Sequence, residues 1–411
     1  MRAASRRRRS AAFLLAAVMA AASAVPSYGA AGFTDVSEGY WGLPYIDLAR
    51  SSGLIEGYVQ ADGSAEFRPE RPVTRQECLV MLYNTLKLAG ALKEGPAGDH
   101  SEFYSECDPP VTGEPRGIPV WAREFVSYAL DQGICDQEDL SLEVDGDGRS
   151  GGFSYASREL IAKWTARALD LEEAAFFPVV YSDHSEIDPG YASCVESLFR
   201  HGIMEGSGGA FHPRNGVKRA EMAAICTRIL GAAADEAAGK MTSFGMLNED
   251  GTLREGERLY DSAQWLASLK LADRVKTIKG TLVSADRAYR ILTFAAGEGE
   301  TRWYAAPGTS FVLDGKPVSL QELADLEGSQ VTVSYYFCGE PAVVIQTGPS
   351  VQQGTIVSLK DCEDHQRLTI ALPDDTYVDL VLTSSSVTQG DIKKNRSCRF
   401  IADGIEILEM R

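Results

Sequence analysis

The pattern of apolar and polar positions divides the chain into two halves with different periods. Between Tyr45 and Leu86, apolar residues recur every three or four positions, as on one face of an amphipathic helix. From Val275 onward, apolar and polar residues alternate in short runs separated by turn residues, as in half-buried β-strands. The pattern predicts a multidomain chain with an all-α first half, followed by two small antiparallel all-β modules.

The clearest helical stretch predicts two helices joined by a structured loop. Pro44 to Ser52 has the spacing of a short amphipathic helix, and Gly53 follows where a left-handed residue commonly ends a helix. Turn residues continue to Pro69. Thr74 and Glu77 stand three positions apart before an apolar run, which is the pattern of a capping box at a helix N-terminus.

Arg75 occupies the first position of the predicted second helix. The helix dipole disfavours a cation there by a few tenths of a kcal/mol up to about 1 kcal/mol. At a free helix N-terminus, however, backbone N–H groups and a guanidinium together can bind a carboxylate or phosphate. A solvated arginine paired with a nearby carboxylate is the simpler interpretation, and the residues alone leave both open.

The same order of motifs returns near residue 180, which makes the first half a repeat array. In both copies, the phenylalanine of the fourth motif lies ten residues before the glutamate of the fifth. The first copy has F-T-D-V from Phe33, Trp41, G-L-I-E-G from Gly53, F-R-P from Phe67 and T-R-Q-E from Thr74; the later copy has Y-S-D from Tyr181, Tyr191, G-I-M-E-G from Gly202, F-H-P from Phe211 and K-R-A-E from Lys218.

A degenerate copy lies between these two, with Trp121 twelve residues before Gly133, as Trp41 is before Gly53. Only six residues separate Phe153 from Glu159, which predicts a rebuilt loop. If Glu159 keeps the glutamate position, Ser157 stands at the arginine position, and Arg158 serves only if the register shifts by one. We therefore expect a weak or absent site in the middle copy.

These motifs resemble the S-layer homology family, over about Phe33 to Leu230. The resemblance implies three helix-loop-helix copies packed as a pseudo-threefold unit, which anchors the protein non-covalently to pyruvylated secondary polysaccharide of a bacterial cell wall. It further implies that the motif arginine and the early aspartate and tryptophan of each copy bind the polysaccharide or shape its grooves. The implied binding residues are Arg75, Arg219, Asp35, Trp41, Asp183, Trp121 and Arg158, and the implied capping residues are Thr74, Glu77, Glu159 and Glu221.

The N-terminus has the pattern of a secretory signal peptide. Arg6 to Arg9 precede a short Ala-rich apolar run, and small residues suitable for cleavage follow. The run is too short and weak for a retained membrane span, so we expect export, by the Sec route, to the cell wall or surface. The expected segments are residues 1–30 (signal peptide), 31–90 (repeat 1), 91–175 (insertion and degenerate repeat 2), 176–235 (repeat 3), 236–274 (helical linker), 275–349 (first β module) and 350–411 (second β module).

The charge balance excludes some partners. Of 40 basic and 58 acidic residues, five arginines lie in residues 1–30, so the exported chain carries 35 basic and 58 acidic residues, a net charge of −23. This balance argues against nucleic acid as a partner. Eight cysteines without regular spacing, in a chain long enough to form real cores, do not require a disulfide framework, although one or two bridges stay open.

No catalytic or cofactor motif stands out, and the five histidines lack metal-ligand spacing, so we expect no enzyme activity, metal or cofactor. Three hypotheses remain. The favoured one is a non-catalytic surface protein that displays its β modules from a wall anchor. The others are a wall-polymer enzyme or carbohydrate-binding accessory in the β half, and a self-assembling S-layer lattice protein. The aromatic residues Trp303, Tyr304, Tyr335, Tyr336 and Phe337 fit either a core or a sugar-binding face.

Overall fold

The chain forms two compact units in the computed structural model. The first combines the described parts of Met1–Leu171 and Glu186–Trp265, and the second those of Glu172–Ser185 and Leu266–Arg411. The expected signal peptide and the helix expected within 236–274 lie outside the described residues. The structure describes residues 32–95, 97–107, 116–171, 173–237, 275–297, 299–336, 342–362 and 364–411.

Helices form most of the first unit, with one short hairpin, Tyr58–Val59 (β1) and Ala65–Glu66 (β2), in the loop of the first copy. No helix in the described part of the chain is both long and apolar enough to cross a membrane. The helices are Leu43–Ser51 (α1), Arg75–Leu88 (α2), Ser101–Cys107 (α3), Arg123–Asp131 (α4), Arg158–Ala168 (α5), Ala192–Arg200 (α6) and Arg219–Ala237 (α7).

Each copy pairs a short first helix with a second helix: α1 with α2, α4 with α5, and α6 with α7. The glycine that follows each first helix has a positive φ, 70° at Gly53, 64° at Gly133 and 64° at Gly202. A residue with a Cβ adopts this left-handed conformation at a cost, so glycine ends each helix and turns the chain into the loop. The buried side chains of Ile46 and Ala49 lie on the face of α1 that packs inward.

A closed ring of backbone hydrogen bonds relates the three copies. Val73 N–H donates to Val217 O (2.8 Å), Val217 N–H to Ala156 O (3.1 Å), and Ala156 N–H to Val73 O (3.1 Å). Each of these residues lies immediately before the N-cap of a second helix. The second helices therefore begin around an approximate threefold axis, with each copy bonded to both others.

The insertion between the first and second copies contains a helix, α3. Phe103, Tyr104 and Cys107 are buried at helical spacing. The Tyr104 hydroxyl donates to Arg123 O on α4 (2.9 Å). The tertiary contact explains a two-turn helix that is too short to be stable by itself.

Strands form the second unit, in one eight-stranded and one six-stranded sheet. The hydrogen-bonded orders are β3-β6-β5-β4-β9-β10-β7-β8 and β13-β12-β11-β15-β16-β14. The strands are Phe176–Pro178 (β3), Val275–Asp286 (β4), Ile291–Ala296 (β5), Gly299–Ala305 (β6), Ser310–Leu313 (β7), Lys316–Val318 (β8), Gln330–Tyr336 (β9), Ala342–Gln346 (β10), Ser350–Asp361 (β11), Gln366–Ala371 (β12), Tyr377–Leu382 (β13), Val387–Thr388 (β14), Ser397–Asp403 (β15) and Glu406–Met410 (β16).

The two sheets repeat one another. The β4–β5 register shifts between Leu282 and Ser284, and the β11–β12 register shifts at the matching Ile356 and Ser358. Just before each bulge, a glycine packs closely against the next strand. A Cβ at Gly280 would lie 2.3 Å from Ala295 O, and a Cβ at Gly354 would lie 2.6 Å from Ala371 O. The shared motif G-T-[LI]-V-S thus encodes one close backbone crossing in each module.

The expectation of purely antiparallel modules is wrong. β7 pairs in parallel with β10, and β14 pairs in parallel with β16. A further parallel contact between β13 and β16 closes the second sheet into a small barrel. In each module, a short strand (β7 or β14) therefore runs parallel to the last strand (β10 or β16).

Strand β3 comes from the chain between the second and third copies, and it pairs with β6 in the second unit. Its Phe176 stacks on Trp303 (ring centroids 5.4 Å apart) and Phe177 packs near Tyr304 (5.3 Å). Tyr335 is also buried. Of the aromatic residues considered for a sugar-binding face, Tyr335 thus lies in the core of the first module, Trp303 packs against it and Tyr304 is buried. Phe337 lies outside the described residues.

Cys78 and Cys226 are fully buried in α2 and α7, in agreement with their predicted role as small core residues. Burial raises the pKa of Cys226 to about 12. Cys338 lies outside the described residues. Free thiols are found at Cys78, Cys135, Cys226, Cys362 and Cys398.

Candidate functional site

The first N–H group of each second helix is already bonded to a neighbouring copy. The N–H groups of Arg75 and Arg219 are therefore not free to bind an anion, which removes one of the two interpretations left open for Arg75. The donors and acceptors are Arg75 N–H to Ser154 O (2.8 Å), Arg158 N–H to Asn215 O (3.0 Å) and Arg219 N–H to Arg71 O (2.9 Å).

The Arg219 side chain links the third copy to the first by hydrogen bonds to backbone carbonyls, a contact that we call an arginine latch. Its Nε donates to Phe67 O (2.9 Å) and its Nη2 to Glu56 O (3.0 Å), and the guanidinium lies 4.8 Å from the centroid of the Tyr58 ring. Only 6% of the residue is exposed, and burial lowers its pKa. Carbonyl dipoles and an aromatic face thus stabilise a cation that the helix dipole would disfavour.

Arg158 makes the same latch from the second copy to the third. Nε donates to Phe211 O (2.9 Å) and Nη2 to Glu205 O (2.8 Å), the positions that match Phe67 and Glu56. Nη1 also donates to Glu221 Oε1 (3.2 Å). The motif arginine is therefore a structural connector between consecutive copies.

Arg75 makes a weaker version of this latch. Its Nη1 donates to Asp139 O (2.8 Å), while its Nε is buried without a hydrogen-bond partner. Burial lowers the pKa of Arg75. The difference arises because Arg75 faces the loop of the degenerate copy, where its acceptor is Asp139, three residues beyond Asp136, the position that matches Glu56.

The register expected for the middle copy is wrong by one residue. Ser157 is the N-cap and accepts the Leu160 N–H, so Arg158 holds the arginine position and Leu160 the glutamate position. Glu159 does not cap the helix: its carboxylate accepts the Asp188 N–H (2.9 Å). Ser157 belongs at the threonine position, and it caps the helix as Thr74 does.

The last part of the loop, from the Phe position to the second helix, keeps its length in the middle copy. A positive φ occurs at Arg68 (59°), Gly151 (57°) and His212 (59°), one residue after the Phe position in each copy. Ser150, not Phe153, therefore stands at that position, and Ser150 lies ten residues before Leu160 as in the other copies. The backbone turn at Gly151 is thus kept, whereas the preceding part of the loop is rebuilt, with a 3₁₀ helix at Gln137–Leu140.

The predicted capping box of the first copy is present. Thr74 Oγ1 accepts the Glu77 N–H, and the Glu77 carboxylate accepts the Thr74 N–H (2.9 Å). Burial acts to raise the pKa of Glu77, but Arg71 and the Thr74 N–H hold it below its usual value. In the third copy Glu221 accepts the N–H of Lys218 (2.9 Å), which is half of the box.

Asp35 fixes the loop of its own copy. Its carboxylate accepts the N–H groups of Phe67 (2.8 Å) and Arg68 (2.7 Å), which supports the left-handed turn at Arg68. Asp183, expected to be its counterpart, belongs to the second unit with β3. It lies near His184, whose pKa burial and Arg302 lower to about 4.

A groove of about 550 Å³ opens beside Trp41, whose indole is 54% exposed. The G-I-M-E-G loop, Lys218 and α7 of the third copy line it, together with Glu70 of the first copy and the Arg158 side chain. It is a cleft between the third and first copies, with an aromatic ring at its edge. A cleft with an aromatic edge and charged walls suits a sugar ring that carries an anionic group.

Three cations face three carboxylates in this groove. Lys218 Nζ contacts Glu70 Oε2, Arg228 lies 3.6 Å from Glu205, and Arg158 lies 3.2 Å from Glu221. The Tyr40 hydroxyl donates to Glu70 (2.7 Å). The groove walls are therefore electrostatically balanced before any ligand arrives.

The matching place in the second copy holds an ion network. Lys163, five residues after Arg158, corresponds to the groove residue Ala224, five after Arg219. Its ammonium donates to Asp139 Oδ1 (2.7 Å) and Asp136 Oδ2 (2.9 Å), and Trp164 Nε1 donates to Asp139 Oδ2 (2.9 Å). Lys163 is only 6% exposed, so its charge is satisfied internally.

Trp121 resembles Trp41 in exposure but not in surroundings. It is 56% exposed in a short 3₁₀ turn, Val120–Ala122, and it does not line the groove beside Trp41. Of the predicted binding residues, the structure thus brings Trp41 and Arg158 together there. Arg75, Arg219 and Asp35 instead stabilise the helical unit through hydrogen bonds to backbone groups.

Sequence reasoning did not single out Glu70 and Arg228 as groove residues. A signal was available at Lys218, which replaces the threonine of the capping motif and so has no capping role. No comparable sequence signal marks Glu70 or Arg228, because their place in the groove depends on a contact between two distant copies.

The fold and the groove define a repeat-built helical binding module joined to β modules. The S-layer homology domain family model matches residues 32–78 and 180–223, the first and third copies. No curated protein matches the chain. S-layer homology domains are cell-wall anchoring modules, and the two matched copies line most of the groove beside Trp41.

Proposed function

We propose that this chain is a non-catalytic cell-surface protein, exported by a Sec signal peptide and anchored by its helical unit to secondary cell-wall polysaccharide. The bound polymer carries anionic, pyruvate-type substituents, and the groove beside Trp41 binds it. The β modules are displayed on the surface.

The observation that carries this proposal is the coincidence of two independent features. The two segments that match the anchoring family belong to the two copies that supply most of the groove, which Arg158 of the second copy completes. The groove offers an exposed indole for stacking on a sugar ring and cations for an anionic substituent. The second copy, which lies outside both matched segments, has Lys163 and Asp139 in the matching place.

Two of the aromatic residues considered for a sugar-binding face on the β half are buried. Tyr304 and Tyr335 are 4% and 5% exposed, and Trp303 packs between Phe176 and Tyr335. Tyr304 and Tyr335 therefore favour a core role over a stacking surface.

The test is sedimentation of the exported chain, residues 31–411, with purified wall sacculi. The whole chain is needed because a fragment ending near residue 235 would leave β3 without its partner β6. We expect binding to sacculi that retain the secondary polymer and loss of binding after the polymer is removed chemically. Equal binding to stripped sacculi would refute polymer anchoring.

Two tryptophans of equal exposure provide the matched control for the groove. Truncating a tryptophan in a binding site costs about 2 kcal/mol or more, which is about thirtyfold in Kd. We expect Trp41→Ala to weaken sacculus binding by about this factor and Trp121→Ala to leave it unchanged. If both variants weaken binding equally, the groove beside Trp41 is not the principal site.

A further inference from the structure

Lys218 differs from the residue that usually stands at its position. In the first copy Thr74 uses its hydroxyl to cap α2, but a lysine side chain has no acceptor and cannot cap α7. The Lys218 side chain instead extends to Glu70 of the first copy. It therefore brings a positive charge into the groove at the position of a capping hydroxyl.

The three groove cations differ in how firmly they are held. The Arg158 side chain is 12% exposed and donates to two carbonyls as well as to Glu221. The Arg228 side chain is 31% exposed and donates to Ile203 O. The Lys218 side chain is 48% exposed, and it forms an ion pair with the Glu70 carboxylate, whose side chain is 58% exposed. Lys218 is the cation that can change partner at the lowest cost.

Glu70 is positioned to compete with a ligand. Lys218 and the Tyr40 hydroxyl lower its pKa, so it is ionised at neutral pH. When Lys218 turns to another anion, Glu70 keeps the hydrogen bond from Tyr40 (2.7 Å) and its contact with water. Exchange therefore leaves no buried carboxylate unpaired, which would otherwise be costly.

We propose that Lys218 determines the specificity of the groove for an anionic sugar substituent, and that Glu70 is a built-in competitor displaced from Lys218 on binding. The inference rests on the proposed function and names the residue pair that selects the ligand. A neutral sugar gains nothing from the displacement, whereas a carboxylate replaces one ion pair by another. The pair thus favours acidic polymer over neutral polymer.

The experiment measures Kd for polymer-bearing sacculi with four forms of the exported chain: wild type, Glu70→Gln, Lys218→Thr and the double variant. The Glu70→Gln side chain can still accept from Tyr40, and Lys218→Thr restores a capping hydroxyl, so both variants retain their local structure. An exposed ion pair contributes about 0.2 to 1 kcal/mol, so removing the competitor should tighten binding by about 1.4- to 5-fold.

Loss of the Lys218 charge should weaken binding about tenfold or more, as expected for a hydrogen bond to a charged group. The double variant should bind like Lys218→Thr, since Glu70 acts only through Lys218. Glu66→Gln is the matched control, because Glu66 forms an exposed ion pair with Arg68 (3.1 Å) outside the groove, and it should leave Kd unchanged.

A second arm tests the chemistry of the ligand. Sacculi whose carboxylates are blocked with carbodiimide and an amine should bind wild type and Lys218→Thr equally. Unchanged or weaker binding by Glu70→Gln, or an undiminished effect of Lys218 on blocked sacculi, would overturn this inference while wild-type anchoring stands. Failure of the wild type to bind polymer-bearing sacculi would instead overturn the proposed function.

Discussion

The second and third copies share their pair of helices and the turn before the second helix but use the space beside that helix in different ways. In the third copy Ala224 lines an open groove, whereas in the second copy Lys163 lies at the same helix position and is enclosed by Asp136 and Asp139. A small side chain leaves room for a ligand, and a long cation with its own carboxylates leaves a satisfied internal network. One helix position therefore decides whether a copy offers space to a partner.

The same contrast separates the arginine latches. Arg219 and Arg158 each bond two backbone carbonyls of the next copy, but Arg75, which faces the second copy, bonds one. The second copy thus obtains its cohesion from the Lys163–Asp139 network rather than from the arginine that reaches it. This comparison leads to four predictions, from the largest expected effect to the smallest.

Asp139→Asn should produce the largest loss of stability. It leaves the buried Lys163 ammonium without its principal carboxylate, and breaking a buried ion pair from one side costs about 3 to 5 kcal/mol. Urea unfolding followed by far-UV circular dichroism measures the change. Asp136→Asn is the control, because Asp136 is half exposed; equal losses in the two variants would show that burial does not set the strength of this network.

Arg219→Ala should destabilise the helical unit by about 2 to 4 kcal/mol, since two carbonyls lose their donor and the cation–aromatic contact is lost. Arg75→Ala removes one such bond and should cost about 1 kcal/mol. The same unfolding measurement compares them. Similar losses would contradict the difference between the latches, and any loss of wall binding by Arg219→Ala should follow its unfolding curve.

Ser157→Ala should cost about 1 kcal/mol through loss of the N-cap of α5, with no change in wall binding. Thr74→Ala at the first copy gives the reference value for a cap that belongs to a full capping box. A wild-type unfolding curve for Ser157→Ala would mean that its hydroxyl does not cap the helix.

Asp136 should give the smallest effect, and one that depends on pH. Hydrogen bonds from Lys163 lower its pKa, so the stability it contributes is present above the ordinary aspartate pKa of about 3.9 and is lost as pH falls through the lower folded value. Because the side chain is 52% exposed, this contribution is at most about 1 kcal/mol. Asp136→Asn should be less stable than wild type at pH 7, and the gap should close below about pH 4. A constant gap from about pH 7 to about pH 3 would remove the electrostatic explanation.

The local elements of the fold were readable in the sequence. Gly53 and Gly202 mark the ends of first helices, and Thr74 and Glu77 mark the start of a second helix. Each of these signals acts within a few residues, so a single sequence contains all of its physics.

Tertiary contacts decided the rest. Arg219 finds its acceptors 152 and 163 residues away, and the register of the second copy was settled by the contact of Arg158 with Asn215, not by the more obvious Glu159. The sequence alone determined that this chain has repeated helix-loop-helix copies and a β-rich second half. Only the packing of copies around the threefold axis decided which charges serve as connectors, which fill a gap, and which face a groove, because a side chain's partner is chosen by proximity in space.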